Sequence, residues 1–245
     1  MSAANLIRIA LKALQRNKLR AFLTMLGIII GVAAVIAMVA IGQGSKESIQ
    51  SQLSSMGSNM ITIMPSSNVA GGVRIGCESF QSLTIADVIA IQKNADYISA
   101  VSPVASTKGQ AIYGALNWPT SLQGVAPSYF DIRKLTINEG VSFSDADVAN
   151  AAKVCVLGQT VINNLFPSGE SPVGKIIRLN SIPLQVIGTL APKGQSSFGQ
   201  DQDDIILTPY TTVQKRILAT IYFQSIYASA INESSSEQAT DEVID

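Results

Sequence analysis

Hydrophobic positions change their period along this chain. Leu6, Ile7, Ala10, Leu11, Ala13 and Leu14 recur at helical spacing, with Arg8, Lys12 and Arg16 on another side. That pattern predicts a short basic amphipathic helix lying on a membrane surface. From Ala21 to Ile41 almost every residue is apolar, and from Ala21 to Ser45, about 25 residues, none is ionisable. About 20 apolar residues cross a bilayer as a helix. A cleavable signal peptide has a shorter apolar core, of about 7–15 residues. Ile49, Leu53 and Met56 then keep a period of about four, so the helix is expected to leave the bilayer as a stalk.

Beyond the stalk the pattern turns to short strands and helices. Met60 to Met64 reads as a strand ended by Pro65, and residues 66–80, rich in Gly and Ser, read as a loop. Thr84 is a predicted N-cap for a helix over Ile85 to Gln92, with Asp87 in its first turn. Ile98 to Val104 follows as a strand. Strands are then expected at Gln110–Tyr113, Thr120–Val125, Val154–Leu157, Ile176–Leu179 and Leu184–Ile187, punctuated by Gly and Pro. Helices are expected from Ser144 and from Gln159 to Phe166. Near the end come a strand at Ile205–Leu207, a helix over Thr211–Leu218, a strand over Tyr222–Ala230 and a last helix from Ser235. The sequence thus predicts an α+β chain: an N-terminal transmembrane helix, a strand-helix-strand half, an inserted β-rich module, and a second half.

Charge orients this arrangement. Arg8, Lys12, Arg16, Lys18 and Arg20 precede the apolar run, and no acidic residue lies among them. Basic flanks stay on the cytoplasmic side, so Arg16, Lys18 and Arg20 form the cytoplasmic membrane flank and the bulk of the chain lies outside. The formal net charge is zero. A domain without a basic face is a poor nucleic-acid partner. The chain contains no histidine. That removes Ser-His-Asp chemistry and histidine metal sites. The cysteines, Cys77 and Cys155, carry no framework signal, and Cys155 sits in an apolar strand pattern.

Candidate chemistry is sparse. Gly169-Glu-Ser-Pro-Val-Gly174-Lys175 mimics a phosphate-binding loop, but Ile176 stands where a hydroxyl would reach magnesium, and a strand pattern follows. No nucleophile is paired with a base, and no catalytic, cofactor-binding or metal constellation is expected. Asp201, Gln202, Asp203 and Asp204 form an acidic turn, read as a solvated turn or a rim that contacts a partner. It lacks the distal glutamate of a calcium loop. Within the apolar run, Gly27 and Gly31 are four apart, a spacing that lets a second helix approach closely.

The stretch Arg16-Asn17-Lys18-Leu19-Arg20-Ala21-Phe22-Leu23-Thr24-Met25-Leu26-Gly27, continuing to Gly42, resembles the start of MacB/FtsX-type ABC transporter permeases. Further matching pieces are Met56-Gly57-Ser58-Asn59-Met60, Leu83-Thr84-Ile85-Ala86-Asp87, Gly124-Val125-Ala126-Pro127-Ser128-Tyr129-Phe130, Leu165-Phe166-Pro167, Pro172-Val173-Gly174 and Asp201-Gln202-Asp203-Asp204. The resemblance runs nearly end to end. It implies a cytoplasmic basic segment (1–20), a transmembrane helix with the start of a stalk (21–45) and a periplasmic core domain (46–245). In that domain, 57–105 and 203–245 would form a split porter-like part, with an inserted subdomain over about 106–202. It also implies the bacterial inner membrane and a homodimer or permease pair. An ABC ATPase on a separate subunit and a periplasmic adaptor are the further partners implied. Such permeases carry three more transmembrane helices, so the chain is expected to be cut before them. A single-span anchored binding or scaffold protein is the alternative reading.

Overall fold

The structure is a computed structural model and describes residues 18–56, 59–65, 83–196, 199–232 and 235–244. The amphipathic segment before Arg16, Arg16 itself, Cys77 and the loop over 66–80 lie outside the described residues. Two compact units form, Met1–Ser51 and Gln52–Asp245.

The apolar run folds into a single helix, α1 (Lys18–Met56), of 39 residues. Its stretch Ala21–Glu47, 27 residues, is long and apolar enough to cross a membrane. A helix rises about 1.5 Å per residue, so this stretch exceeds the roughly 30 Å of a hydrocarbon core. Phe22, Ile28, Ile30, Ile36 and Ile41 are all exposed on it. A helix apolar on every side is at home in lipid, where only satisfied backbone is tolerated. The hydroxyl of Thr24 donates to the carbonyl of Ala21 at 3.0 Å, which leaves no bare polar atom at that turn.

The second unit is a nine-stranded mixed sheet with helices on its faces. β1 (Met60–Ile63) lies at one end of the strand order. Next comes α2 (Ile85–Asn94), whose start is fastened by Asp87: its carboxylate accepts from Thr84 N at 2.6 Å and from Thr84 Oγ1 at 2.8 Å. The strands predicted at 98–104 and 110–113 are one strand, β2 (Ile98–Tyr113). Residues 105–109 continue it because they are in register with residues 120–124 of the strand that follows, and the Gln224 side chain accepts from Ser106 N at 2.8 Å.

β3 (Leu116–Val125) folds back on β2 and includes Pro119, in register with Gln110. Then follow α3 (Ser128–Ile132), β4 (Ile137–Gly140), α4 (Asp145–Ala149), β5 (Val154–Leu157) and α5 (Gln159–Leu165). α3 and β4 are additions to the sequence reading. The helix expected from Ser144 is present, and Ser144 caps it, accepting from Asp147 N at 3.4 Å, while Asp147 accepts from Ser144 N at 2.8 Å. The bond from Ser144 N first, then one from the Ser144 hydroxyl at 2.7 Å, hold the Asp147 carboxyl below its usual pKa.

β6 (Ile176–Leu179) and β7 (Ile182–Leu190) form a hairpin, so a strand follows Lys175. β8 (Ile205–Pro209) leads into α6 (Tyr210–Val213), which widens into a π turn over Gln214–Leu218 and stops at Ala219 in left-handed conformation. β9 (Ser225–Ala230) and α7 (Ser236–Ile244) close the chain. The strand order is β1-β9-β2-β3-β8-β5-β7-β4, with β6 beside β2 and β7.

Strand alternation sends neighbouring residues to opposite faces. Ala105, Cys155, Leu157 and Ile206 join a core with Leu122, Val161, Leu165 and Ile177. Val104, Val156 and Leu207 join a second core with Tyr129, Phe130, Phe143 and Val148. Burial pushes the Cys155 thiol pKa well up, which keeps it an inert core side chain. Phe143 is 1% exposed and meets Phe130 edge-on at 5.2 Å between ring centroids. Phe143→Ala is expected to destabilise the chain by about 3–5 kcal/mol, as aromatic truncation in a core does. Denaturant unfolding of the full chain in lipid nanodiscs, followed by fluorescence, measures it.

Candidate functional site

The acidic turn Asp201–Asp204 lies just before β8, and its carboxylates serve different ends. Asp203 is 8% exposed. Its Oδ1 accepts from Lys193 N at 2.8 Å and its Oδ2 from Gly194 N at 2.9 Å. It thereby closes the loop after β7 onto the start of β8. A carboxylate that accepts from backbone N–H groups in this way forms charge-assisted bonds, about twice as strong as neutral ones. Asp201 accepts from the Thr160 hydroxyl at 2.6 Å and from Asp203 N at 2.8 Å. Asp204 accepts from Trp118 Nε1 at 3.0 Å. The Gln202 backbone N donates to the Gly194 carbonyl at 3.1 Å.

The turn also presses on α5. Thr160 N donates to the Asp203 carbonyl at 3.2 Å. A Cβ on Gly158 would stand 2.2 Å from that same carbonyl oxygen, so only glycine fits at the helix start. Asp201 is exposed, Gln202 and Asp204 are half-buried, and Asp203 is buried. Asp201 and Asp204 also line a recess of about 610 Å³, together with Gln200, Lys108, Thr120 and Ser121. The Lys193 ammonium donates to the Arg133 carbonyl at 2.5 Å. Burial first, then the charges of Arg133 and Lys134, lower its pKa; Asp203 acts the other way. Asp201 is thus the exposed residue of the turn, with half-buried Gln202 beside it, and bonds from all four residues tie the turn to the fold.

The other singled-out residues lie on α1. Gly27 and Gly31 have nothing within 4 Å of where a Cβ would sit, so that side of the helix is open. Lys18 is exposed at the helix start, and Arg20 follows it in the first turn. No group of three or more His, Cys, Asp or Glu side chains able to hold a metal occurs among the described residues. Sequence reasoning did not find Asp203's inward role or the partner role of Trp118. Their signal is pairing across the fold, at Lys193, Gly194 and Asp204, which linear spacing does not reveal.

Residues 21–245 match the family described as the MacB-like periplasmic core domain. The chain belongs to that family. Over 235 residues it is 41% identical to the macrolide export ATP-binding/permease protein MacB of Syntrophobacter fumaroxidans, covering 96% of this chain and 32% of that protein. The MacB of Chlorobaculum tepidum is 39% identical over 238 residues, covering 96% of this chain and 36% of that protein. The chain therefore spans about a third of the length of these relatives.

Among solved structures, the periplasmic region of MacB from Actinobacillus actinomycetemcomitans is similar, with a TM-score of 0.64 at 26% identity, covering 78% of this chain and 85% of that one. The extracellular domain of the noncanonic ABC-type transporter YknZ from Gram-positive bacteria shares the fold, with a TM-score of 0.60 at 20% identity over 76% of this chain and 90% of its own. The sheet domain after α1 is therefore a MacB-type α+β domain, and the matched region is not the ATP-hydrolysing part of a transporter.

In this MacB-like domain, Asp203→Ala is expected to cost about 2–4 kcal/mol, because two backbone N–H groups lose a charged acceptor. Asp201→Asn, on the exposed side, is expected to cost less than about 1 kcal/mol. Thermal unfolding of both variants of the full chain checks the order, and equal losses would contradict it.

Proposed function

We propose that the chain supplies the first transmembrane helix and periplasmic domain of an ABC-type export permease in the bacterial inner membrane. Its N-terminus is cytoplasmic. ATP hydrolysis takes place on a separate ABC ATPase subunit. Closure of that ATPase shifts the membrane helices, and α1 carries the motion outward to a domain that engages adaptor or cargo. The work is mechanical, and coupling of this kind needs packed elements with two discrete arrangements.

The observation that carries this reading is the family match, which takes in the apolar helix and the sheet domain as one unit, residues 21–245. The relatives' names, macrolide export ATP-binding/permease proteins, support export as the task and an ATPase as the partner. The basic flank at Lys18 and Arg20 supports the orientation. We infer that the Gly27/Gly31 side packs on a partner helix in a homodimer or permease pair, since it is open along the described helix. The exposed side of the turn, Asp201 and Gln202, is the proposed partner contact, with Asp203 and Asp204 holding its shape. The porter-like part is proposed to comprise 57–105 and 203–245, around an insertion over about 106–202. The adjacency of β1, β9 and the first half of β2, all from the two outer stretches, supports that division.

Purification of the tagged chain from native membranes is expected to bring an ABC ATPase with it. An assembly free of any ATPase would favour a single-span anchored binding protein instead. Replacing both glycines, Gly27→Leu and Gly31→Leu, meets no steric obstacle within the chain. It is expected to lower the cross-linked dimer fraction in membranes by about 3- to 30-fold, the range of helix–helix contacts in lipid. An unchanged dimer fraction would count against the packing role.

A further inference from the structure

Three cations converge where α3 ends. The helix closes in a tight turn: Lys134 N donates to the Asp131 carbonyl at 3.1 Å, and Leu135 N donates to the Phe130 carbonyl at 2.7 Å. Leu135 and Phe130 pack in the second core, which fixes the turn. Such a turn needs a left-handed residue at its corner, and Lys134 supplies it with a φ of 48°. Glycine is the usual occupant, because a Cβ makes this conformation costly. Lys134 is exposed, so packing does not account for its side chain. A helix C-terminus favours cations, which suits Arg133 and Lys134. The third cation comes from elsewhere. Lys193, in the loop after β7, donates its ammonium to the Arg133 carbonyl at 2.5 Å.

Arg133 is half-buried, and its guanidinium carries five N–H donors. Its Nη1 stands 4.0 Å from Met60 Sδ, a weak acceptor. Among the described residues no carboxylate lies within ion-pair distance of this guanidinium. The acids nearby do not cancel the charge. Asp131, two residues earlier, is exposed. Asp203 already accepts from Lys193 N and Gly194 N. At the Lys193 ammonium the charges of Arg133 and of Lys134 each outweigh the opposing charge of Asp203. The local field is therefore positive, and a half-buried fork of donors stands in it with a thioether as its acceptor.

A guanidinium fork flanked by two ammonium groups matches a compact oxyanion with several acceptor oxygens, and arginine binds phosphate in a bidentate way. We propose that Arg133, Lys134 and Lys193 form a binding site for a single phosphate group, either free or on the headgroup of an anionic lipid. Arg133 holds two of its oxygens. Lys134 adds charge from the solvent side, which the left-handed turn makes possible. Lys193, anchored on the Arg133 carbonyl, fixes the arginine backbone and adds charge from the half-buried side. This assignment stands apart from the transport reading and needs neither an ATPase nor an adaptor.

The test uses the full chain in nanodiscs and has two arms. Radiolabelled inorganic phosphate is measured by equilibrium dialysis against phosphatidylcholine discs. Spin-labelled phosphatidylglycerol is measured by electron paramagnetic resonance in mixed discs. Saturable phosphate binding identifies a free phosphate group as the ligand. A motionally restricted phosphatidylglycerol fraction without phosphate binding identifies a lipid headgroup. The basic flank at Lys18 and Arg20 also attracts anionic lipid, so only the restricted fraction lost in Arg133→Gln counts. In either arm Arg133→Gln is expected to weaken binding by about 10-fold or more, the effect of losing a charged donor. Arg133→Lys, which keeps the charge and loses the fork, is expected to weaken it less. Lys134→Gly is expected to weaken binding while melting at the native temperature or above, because glycine relieves the left-handed corner. Loss of binding with stability intact reports on the site and not on folding. The assignment is overturned if neither phosphate nor phosphatidylglycerol binds above the phosphatidylcholine control. It is also overturned if Arg133→Gln and Lys134→Gly bind as the native chain does. Displacement of phosphate by acetate, as effective as by unlabelled phosphate at equal ionic strength, would overturn it too.

Discussion

The sheet domain depends on the register of β2. Its first half pairs with β9, from Ile98↔Ala230 to Val104↔Ser225, and its second half pairs with β3, from Ala105↔Gly124 to Tyr113↔Leu116. At the changeover Val104 faces one core and Ala105 the other. A slip of one residue would exchange the two faces and expose both sets of side chains. The strand is thus held by apolar burial on both sides at the place where its hydrogen-bonding partner changes. β8 extends the same logic: it is parallel to β3 and antiparallel to β5, with Ile206 in one core and Leu207 in the other.

From this frame the turn at 201–204 obtains its shape. β8 must enter the sheet between β3 and β5, and Asp203 fastens the chain just before it does so. The neighbouring Asp204 reaches the β2–β3 hairpin through Trp118, and Asp201 reaches α5 through Thr160. One short acidic segment therefore links the loop after β7, the hairpin and a helix. Its outer side, at Asp201, remains free to face solvent.

Much of the fold was legible because its signals are local. The apolar run gave α1, and the Thr84/Asp87 and Ser144/Asp147 pairs marked helix starts, where a side chain fastens its own neighbours. Val154–Leu157 was legible as a strand from its unbroken apolar run. β4 was not, since Asn138, Glu139 and Gly140 are exposed and the strand is held by backbone bonds to β7. The unity of β2 was hidden as well: Ser106, Thr107 and Lys108 look like a break, but they pair with Gln123, Leu122 and Ser121 of β3, and Gln224, 118 residues from Ser106, accepts from its backbone N. The candidate site was legible as an acidic turn and a glycine pair. The inward bonds of Asp203 were not, because their partners lie in a separate loop.

Pro119 carries a consequence for the exposed margin of the sheet. β3 extends past the start of β8, whose pairing with it begins at Ser121. The backbone N of Gln110, opposite Pro119, donates to Asn180 Oδ1 at 3.3 Å, away from β3. Opposed residues in an antiparallel ladder turn their N–H groups the same way relative to the pair, both inward or both outward. The nitrogen of Pro119 therefore faces the open margin of the sheet, and it bears no hydrogen to donate. Copies held side by side, as the proposed membrane anchoring would hold them, bring exposed strand margins together. A margin that offers no donor at this position cannot template another chain there, and such blunting keeps tethered domains from fusing into a continuous sheet.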